Sequence, residues 1–239
     1  MLLFYHENLV NSKEIILSED EAKHCLKVLR MHVGDSLHLT DGKGNLAEVM
    51  ITSDNPKKCI LQVKNITFYP KKHKHYIHIA IAPTKSADRM EWFVEKCVEI
   101  GVDEISFLHT EHTERSYFND ERMIKKAISA IKQSLNFHLP VVNPIQNLTK
   151  FFEKIAQKTP INPQLFMAYV DKENTKTLFK TAIPNTYYCV LIGPEGDFSK
   201  TELTQAFSLG FVGVSLGNSR LRTETAGVVA CHTLNLLNE

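Results

Sequence analysis

The sequence lacks a cysteine pairing pattern, an excess of one charge and any long apolar run. Its 239 residues carry 28 Lys and Arg against 27 Asp and Glu. No global field therefore draws the chain to nucleic acid or membranes, and polyanion binding would need local clusters. The cysteines are odd in number, widely spaced and without a Cys-x-x-Cys pair, which argues against a zinc knuckle or a disulfide framework. We therefore expect reduced thiols in the core, at Cys25, Cys59, Cys97, Cys189 and Cys231.

Signals for secretion, nucleotide cradles and metal sites are missing too. The start of the chain has no charged segment followed by an apolar one, so we expect a cytoplasmic protein. Neither Gly-x-Gly-x-x-Gly nor a P-loop is present, which disfavours a Rossmann oxidoreductase. His109-x-x-His112 and His73-x-His75-x-x-His78 lack the Glu of a His-Glu-x-x-His helix or a nearby cysteine. We therefore expect no metal and interpret these histidines as solvated or as facing a bound polyanion.

Residues 2 to 69 read as a small β-rich unit. Ser18-Glu-Asp-Glu21 is a capping box that predicts a helix through about Met31, and Asp41 to Asn45 is a hairpin loop. Strands are predicted at Leu2 to Tyr5, Ser36 to Thr40, Leu46 to Thr52 and Cys59 to Tyr69. A barrel of about five or six strands would remove the open edges. The basic run Pro70 to His75 is the best boundary, which divides the chain into domains 1–70 and 71–239.

From Tyr76 onward, predicted strands alternate with predicted helices. The strands are Tyr76 to Ala82, Glu104 to Leu108, Gln164 to Val170, Thr186 to Ile192 and Phe211 to Leu216. The helices are 87 to 100, capped by Ser86 and ended by Gly101, then Asn119 to Asn136, Asn147 to Gln157, Lys200 to Leu209 and Thr223 to Leu237. Trp92, within the first of these helices, is expected in the core. The alternation predicts an α/β domain with a mostly parallel sheet covered on both faces.

Two turns near the end of the chain each follow an apolar run and precede a helix. The first is Gly193-Pro-Glu-Gly196, with Ser199 as the helix cap; the second is Leu216-Gly217, followed by Arg220 and Arg222 and by a cap at Thr223 or Thr225. Ligands on such sheets bind at the carboxyl ends of strands. Alone, the first turn is better explained as an ordinary connection, and the second can be a capped helix with solvated arginines. Together they indicate a site for a small molecule with an anionic substrate nearby.

The order of these motifs resembles a known family. Leu-Ile-Gly-Pro-Glu-Gly and, about twenty residues later, Leu-Gly-x-x-x-Leu-Arg-Thr-Glu-Thr-Ala are similar to the SPOUT class of S-adenosylmethionine-dependent RNA methyltransferases. Within that class the chain most resembles the 16S ribosomal RNA uridine-N3 methyltransferase family, RsmE. His24-x-x-x-Val-Leu-Arg30 with Gly34-Asp35 resembles its PUA-like RNA-binding barrel, and Arg89 to Lys96 resembles the start of its methyltransferase domain.

The resemblance implies a SPOUT α/β domain with a C-terminal trefoil knot, a PUA-like β-barrel before it, and a homodimer. It implies that S-adenosylmethionine binds among the knot loops, at Met167, Tyr169, Leu191, Gly193, Pro194, Gly196, Leu216, Gly217, Leu221 and Thr223. It implies a uridine substrate in the decoding region of 16S RNA, on the assembled or nearly assembled small subunit. RNA contacts are expected at Lys23, Lys27, Arg30, Lys85, Arg115 and Arg220.

Methylation of uridine N3 needs an exposed base, removal of the N3 proton and support for the developing anion. Arg222 is the candidate for the last role, and Glu195 or Glu224 for proton acceptor. The chain departs from the family pattern at Asn136, Asp197 and Ser219, where RNA contacts are in question. Two alternatives stay open: methylation at another RNA position such as a ribose 2′-hydroxyl, and a non-catalytic RNA-binding assembly factor.

Overall fold

A computed structural model of the chain describes residues 1–114, 118–158, 162–169 and 176–239. It forms two compact units, residues 1–72 with 128–139, and residues 73–127 with 140–239. The division from sequence, at residue 70, did not include the internal segment 128–139 in the first unit. Across the described ranges, no helix combines the length and the apolarity that spanning a membrane requires.

The first unit is built on a five-stranded sheet. Its strands are β1 (Leu3–Tyr5), β2 (Glu14–Ile16), β3 (Ser36–Thr40), β4 (Asn45–Asn55) and β5 (Lys58–Phe68), in the order β1-β3-β4-β5-β2. β1 pairs with β3 in parallel and the other pairs are antiparallel. Alternate residues of the strands enclose one apolar core, which includes Leu37, Leu39, Val49, Ile51 and Leu61.

The predicted helix of this unit is present but shorter than expected. Ser18 caps α1 (Glu19–Lys23), and its hydroxyl accepts from the Glu21 backbone N–H at 3.4 Å, which is one of the two hydrogen bonds of the predicted capping box. The Glu21 carboxylate accepts from Lys132 Nζ at 2.6 Å. A π-helical turn, His24–Val28, follows α1, and Arg30 has φ +55°, so the helical segment ends before Met31.

The second unit contains a six-stranded parallel sheet. Its strands are β6 (Tyr76–Ile81), β7 (Glu104–His109), β8 (Val141–Asn147), β9 (Gln164–Ala168), β10 (Tyr187–Ile192) and β11 (Val212–Val214), in the order β11-β9-β10-β6-β7-β8. The mostly parallel α/β prediction is confirmed. The helices are α2 (Ala87–Ile100), α3 (Asp120–Ser134), which continues into the first unit, α4 (Leu148–Lys158), α5 (Leu178–Thr181), α6 (Lys200–Ser208) and α7 (Thr223–Leu237).

Sequence periodicity located most helices and missed short elements. The apolar stripe of α2 is buried, and Gly101 ends the helix, as predicted, with φ +117°. Trp92 was predicted in the core but is 41% exposed, because it lies off the stripe formed by Met90, Phe93, Val94, Cys97 and Val98. The strands β2 and β8 and the single turn α5 were not predicted. All five cysteines are free and buried, as expected.

Candidate functional site

Three strand ends meet at one edge of the parallel sheet. Ile192 at the end of β10 pairs with Ala168 at the end of β9, and Ala168 pairs with Val214 at the end of β11. The two glycine-bearing turns of the sequence leave from Ile192 and from the end of β11. The register therefore brings turns that are about twenty residues apart in sequence to one carboxyl edge, where ligands of open α/β sheets bind.

A cleft of about 920 Å³ lies at this edge. Its walls come from both turns and from the strand ends, and they combine glycines and apolar residues with charged side chains. The lining residues are Ala168, Tyr169, Ile192 to Asp197, Val214 to Thr223 and Ala226.

The first turn is fixed by contacts on both sides. The Thr223 hydroxyl donates to the Gly193 carbonyl at 3.1 Å, which ties the first turn to the start of α7. A Cβ at Gly193 would lie 3.0 Å from the Phe198 ring, and one at Gly196 would lie 3.1 Å from His112 Cβ, so both glycines permit close approach.

His112 supports the far end of this turn. Its Nδ1 lies 2.9 Å from the Asp197 carbonyl oxygen, and this backbone hydrogen bond raises the pKa of His112. Asp197, one of the positions at which the chain departs from the expected family pattern, has φ +61°. Aspartate tolerates the left-handed region better than most residues, so the chain can adopt this conformation here without a glycine.

The second turn leaves its backbone open to the cleft. Ser215 Oγ donates to the Gly217 carbonyl at 2.9 Å and accepts from the Gly217 N–H at 3.2 Å. Gly217 has φ +132°, and no atom lies within 4 Å of the place a Cβ would take. Arg220 and Arg222 line the same cleft with exposed side chains. The turn thus combines a bare backbone surface with two cations.

A buried carboxylate lies beside the second turn. Glu224, in the first turn of α7, is 6% exposed, and its Oε1 lies 3.7 Å from Nε of the half-exposed Arg89. Its Oε2 has no hydrogen-bond partner among the described residues. A buried acceptor without a partner is costly, which makes this atom a candidate for binding a ligand or a water.

The structure brings together most of the predicted cofactor residues. Tyr169, Gly193, Pro194, Gly196, Leu216, Gly217, Leu221 and Thr223 line the cleft, as do Glu195, Arg220 and Arg222. Met167 and Leu191 have no exposed surface, because alternate residues of β9 and β10 point into the core and leave Ala168 and Ile192 at the cleft. Thr223 or Thr225 was expected as the helix cap, but Arg222 occupies the cap position, and the Thr223 hydroxyl donates to the Gly193 carbonyl instead.

The predicted RNA contacts are distributed over both units. Lys23, Lys27 and Arg30 are exposed on the first unit. Lys85 forms an ion pair with Glu114 at 2.5 Å, and this hydrogen bond and charge raise the pKa of Lys85. Arg115 lies outside the described residues.

Sequence reasoning overlooked two contributors to the site. Arg89 was recognised only as part of a motif, although it pairs with Glu224, and His112 was interpreted as a solvated or RNA-facing side chain. That interpretation is wrong for His75 and His78, which are 9% and 2% exposed. Within the described ranges, no group of three or more His, Cys, Asp and Glu side chains is arranged to hold a metal.

Residues 71–235 match the family model of the RNA methyltransferase domain, and residues 17–64 match that of the RNA methyltransferase PUA domain. The parallel sheet and its cleft therefore lie within an RNA methyltransferase domain. The chain belongs to this RNA methyltransferase family. A probable rRNA-methyltransferase from Porphyromonas gingivalis is 42% identical, with a TM-score of 0.89, and the match covers 100% of this chain and 98% of that one.

The resemblance to RsmE is confirmed by named relatives. Ribosomal RNA small subunit methyltransferase E from Neisseria gonorrhoeae, solved bound to S-adenosyl methionine, is 26% identical with a TM-score of 0.84, over 100% of this chain and 98% of that chain. The protein of the same name from Rickettsia conorii is 26% identical over 238 residues, covering 98% of this chain and 95% of that one.

Proposed function

We propose that this protein transfers a methyl group from S-adenosylmethionine to N3 of a uridine in the decoding region of 16S ribosomal RNA, on the assembled or nearly assembled small subunit. The observation that carries the proposal is the Thr223 to Gly193 hydrogen bond, which joins two weak sequence motifs around one cleft. The relatives named as small-subunit RNA methyltransferases, one of them bound to S-adenosylmethionine, support both the cofactor and the substrate class.

The cleft fits this cofactor. Backbone groups of both turns supply hydrogen-bonding positions along it, and the open side of Gly217 leaves room for a flat ring against the chain. Gly193, Pro194, Leu216, Gly217, Leu221 and Thr223 are the residues that would hold it. When bound, the cofactor supplies a methyl group already activated by its sulfonium, so the reaction needs no metal.

The side chains around the cleft divide the remaining chemistry. Arg222 is exposed at the cleft and is the candidate to stabilise the anion that develops on the uracil ring. Glu195 is exposed on the first turn and is the better candidate for the N3 proton, because the Glu224 carboxylate is buried and paired with Arg89. Glu224 then positions the start of α7.

Binding must also offset the cost of exposing the base, which is a few kcal/mol. Lys27, Arg30 and Arg220 are exposed cations available to backbone phosphates. Lys23 is exposed as well, and its Nζ lies 3.8 Å from Glu19 Oε2 in a surface ion pair of the kind that contributes little. Lys85 joins them only after releasing Glu114. Arg115 belongs to the same proposed set.

Further properties of the family complete the proposal: a trefoil knot at the C-terminal end, closure of the first unit as a PUA-like barrel, a homodimer, and a cytoplasmic location. The chain passes from β9 to its neighbour β10 and then back across β9 to β11 at the edge of the sheet. This strand order supports the knotted path. An experimental structure in which the chain after β10 threads no earlier loop would refute the knot.

The decisive experiment is transfer of labelled methyl from S-adenosylmethionine to small subunits that lack the modification, followed by mapping of the labelled nucleoside. We expect 3-methyluridine at a single position. Arg222→Ala should lower the transfer rate by about a hundredfold, which is the usual effect of removing one hydrogen-bond donor to a developing anion. Lys125→Ala, at an exposed position of α3, should leave the rate unchanged. A label found on a ribose would show that the methylated position is a 2′-hydroxyl and not uridine N3. A folded protein that binds no cofactor would instead be an RNA-binding assembly factor.

A further inference from the structure

A second cavity, of about 660 Å³, lies at the other end of the parallel sheet. Tyr76, Glu104 and Tyr187, the first residues of β6, β7 and β10, line it, so it opens at the amino ends of strands whose carboxyl ends carry the methyl-transfer cleft. The two cavities share no lining residue. Nothing in the proposed methyl transfer uses it.

A connected set of polar side chains forms its inner wall. His78 has its two ring nitrogens 2.9 Å from the Tyr187 hydroxyl and 2.8 Å from the Ser106 hydroxyl. Asn143 Nδ2 donates to Glu104 Oε1 at 2.6 Å and to Ser106 Oγ at 3.0 Å. Burying polar groups at strand ends is costly compared with an apolar core, and it is tolerated here because they satisfy one another.

Glu104 is the charged centre of this wall. Its Oε2 accepts from the Tyr76 hydroxyl at 3.0 Å, so each carboxylate oxygen accepts one hydrogen bond. A carboxylate offers about four acceptor positions, and this side chain is 22% exposed, so it can accept further bonds from a ligand. His78 does not neutralise it, because burial lowers the pKa of His78 to about 4 and leaves the ring uncharged at pH 7.

The other walls offer a flat surface and positive charge. The Tyr76 and Tyr187 rings stack with centroids 5.2 Å apart and an interplanar angle of 12°, and both border the cavity. Lys74 and Lys154 line it with exposed side chains. Lys154 Nζ donates one bond to Gln146 at 2.6 Å, and an ammonium has three donors.

We propose that this cavity binds a guanine nucleotide, with Glu104 accepting from its N1–H and 2-amino groups, the tyrosine pair against the base and the lysines toward the phosphate. The carboxylate selects the base. Guanine presents two adjacent donors on one edge, whereas adenine and cytosine place an acceptor beside their donor, and uracil has one donor between two carbonyls. The volume is in the range of sites for nucleotide-sized ligands. A free nucleotide and an unstacked guanosine of RNA share this chemistry.

The test is calorimetric titration of the full chain, with S-adenosylhomocysteine present at saturation so that the cofactor cleft is filled. GMP should bind more tightly than IMP, which lacks the 2-amino group, by about tenfold, since a bond to a charged group is lost. AMP, which places an acceptor against Glu104, should bind more weakly still. Glu104→Gln should weaken GMP by at least about tenfold and abolish the preference over IMP.

A matched pair on α4 covers the case in which Glu104→Gln does not fold. Lys154→Ala should weaken GMP severalfold, whereas Lys150→Ala, one turn earlier and exposed but outside the cavity, should leave it unchanged. To identify the source of the base, the binding of a short single-stranded RNA with one guanosine is compared with that of the same RNA with inosine. A preference for GMP over IMP, or for the guanosine RNA over the inosine RNA, supports the site. Absence of binding to both by folded protein, equal affinity for GMP and AMP, or loss of GMP binding at saturating S-adenosylhomocysteine would overturn it.

Discussion

Gly217 carries the strongest backbone constraint in the methyl-transfer cleft. Its φ of +132° disfavours any side chain, and the open space beside it belongs to the cleft. We expect Gly217→Ala to destabilise the protein by about 1–2 kcal/mol and to weaken S-adenosylmethionine binding by about tenfold, because the methyl group would occupy ligand space; one factor of ten is about 1.4 kcal/mol. Urea unfolding and calorimetry measure the two effects.

Gly210 is the matched control. Like Gly217 it has a positive φ, +87°, and open space where a Cβ would lie, but it follows the end of α6 and does not line the cleft. Gly210→Ala should lose similar stability and keep its cofactor affinity. Equal affinity in both variants would show that the Gly217 surface does not face the cofactor.

The residue scale also shows where sequence reasoning stops. The glycines and arginines of the two turns were predicted as one site and line one cleft. Met167 and Leu191 were included by motif position, yet a strand alternates its faces, and the register turns these two into the core. Thr223 carries a capping residue type, but a carbonyl thirty positions earlier in the chain competes for its hydroxyl, and no local rule contains that partner.

At the scale of elements, α2 and α7 pack through a glycine. A Cβ at Gly227 would lie 2.4 Å from Phe93 Cε2 and 3.1 Å from Ile81 Cδ1. We expect Gly227→Ala to destabilise the second unit by about 1–3 kcal/mol, although alanine is the better helix former by about 1 kcal/mol. The free energy of unfolding in urea measures the change.

Phe93→Leu should relieve that contact. In this background Gly227→Ala should cost less than it does in the parent chain, since the two side chains share one space. Strictly additive losses would show that the glycine is not there for the Phe93 ring.

Helical periodicity located α2, α6 and α7. Ser86 and Ser199 occupy the N-cap positions of α2 and α6 as predicted, whereas Arg222 occupies that position in α7. Ser199 and Glu202 form a complete capping box, as sequence patterns suggest for such a segment. β8 has no such signal: it contains Pro144, is mostly half-exposed, and lies at the sheet edge, where a proline is tolerated. It is a strand because it pairs with β7, more than thirty positions earlier, and the local sequence contains no sign of that pairing.

At the scale of the molecule, the same limit appears in the make-up of the units. Residues 128–139 belong with the first 72 residues, and this follows from contacts such as Lys132 with Glu21 and from the Leu139 N–H donating to the Gly42 carbonyl. Composition marked only the basic run after residue 69. A segment that returns to an earlier unit has no signature in its own sequence.

The first unit should bind RNA through the charges around its helical segment. Replacing Lys23 and Lys27 by alanine removes two exposed cations, so affinity for small-subunit RNA should fall and the slope of log affinity against log salt should decrease by roughly 1.5, the effect of two lost phosphate contacts. S-adenosylmethionine affinity should not change. Filter binding across a salt series, with calorimetry of the cofactor, gives both quantities.

Lys57→Ala with Lys58→Ala makes the comparison specific. These lysines are also exposed on the first unit, where β4 turns into β5, and their removal changes the net charge by the same amount. If RNA is held by local contacts rather than by overall charge, only the Lys23 and Lys27 variant changes the salt slope. Equal slopes for the two variants would assign the binding to net charge, and with a formal net charge of +1 that field is too weak to direct the enzyme to one uridine.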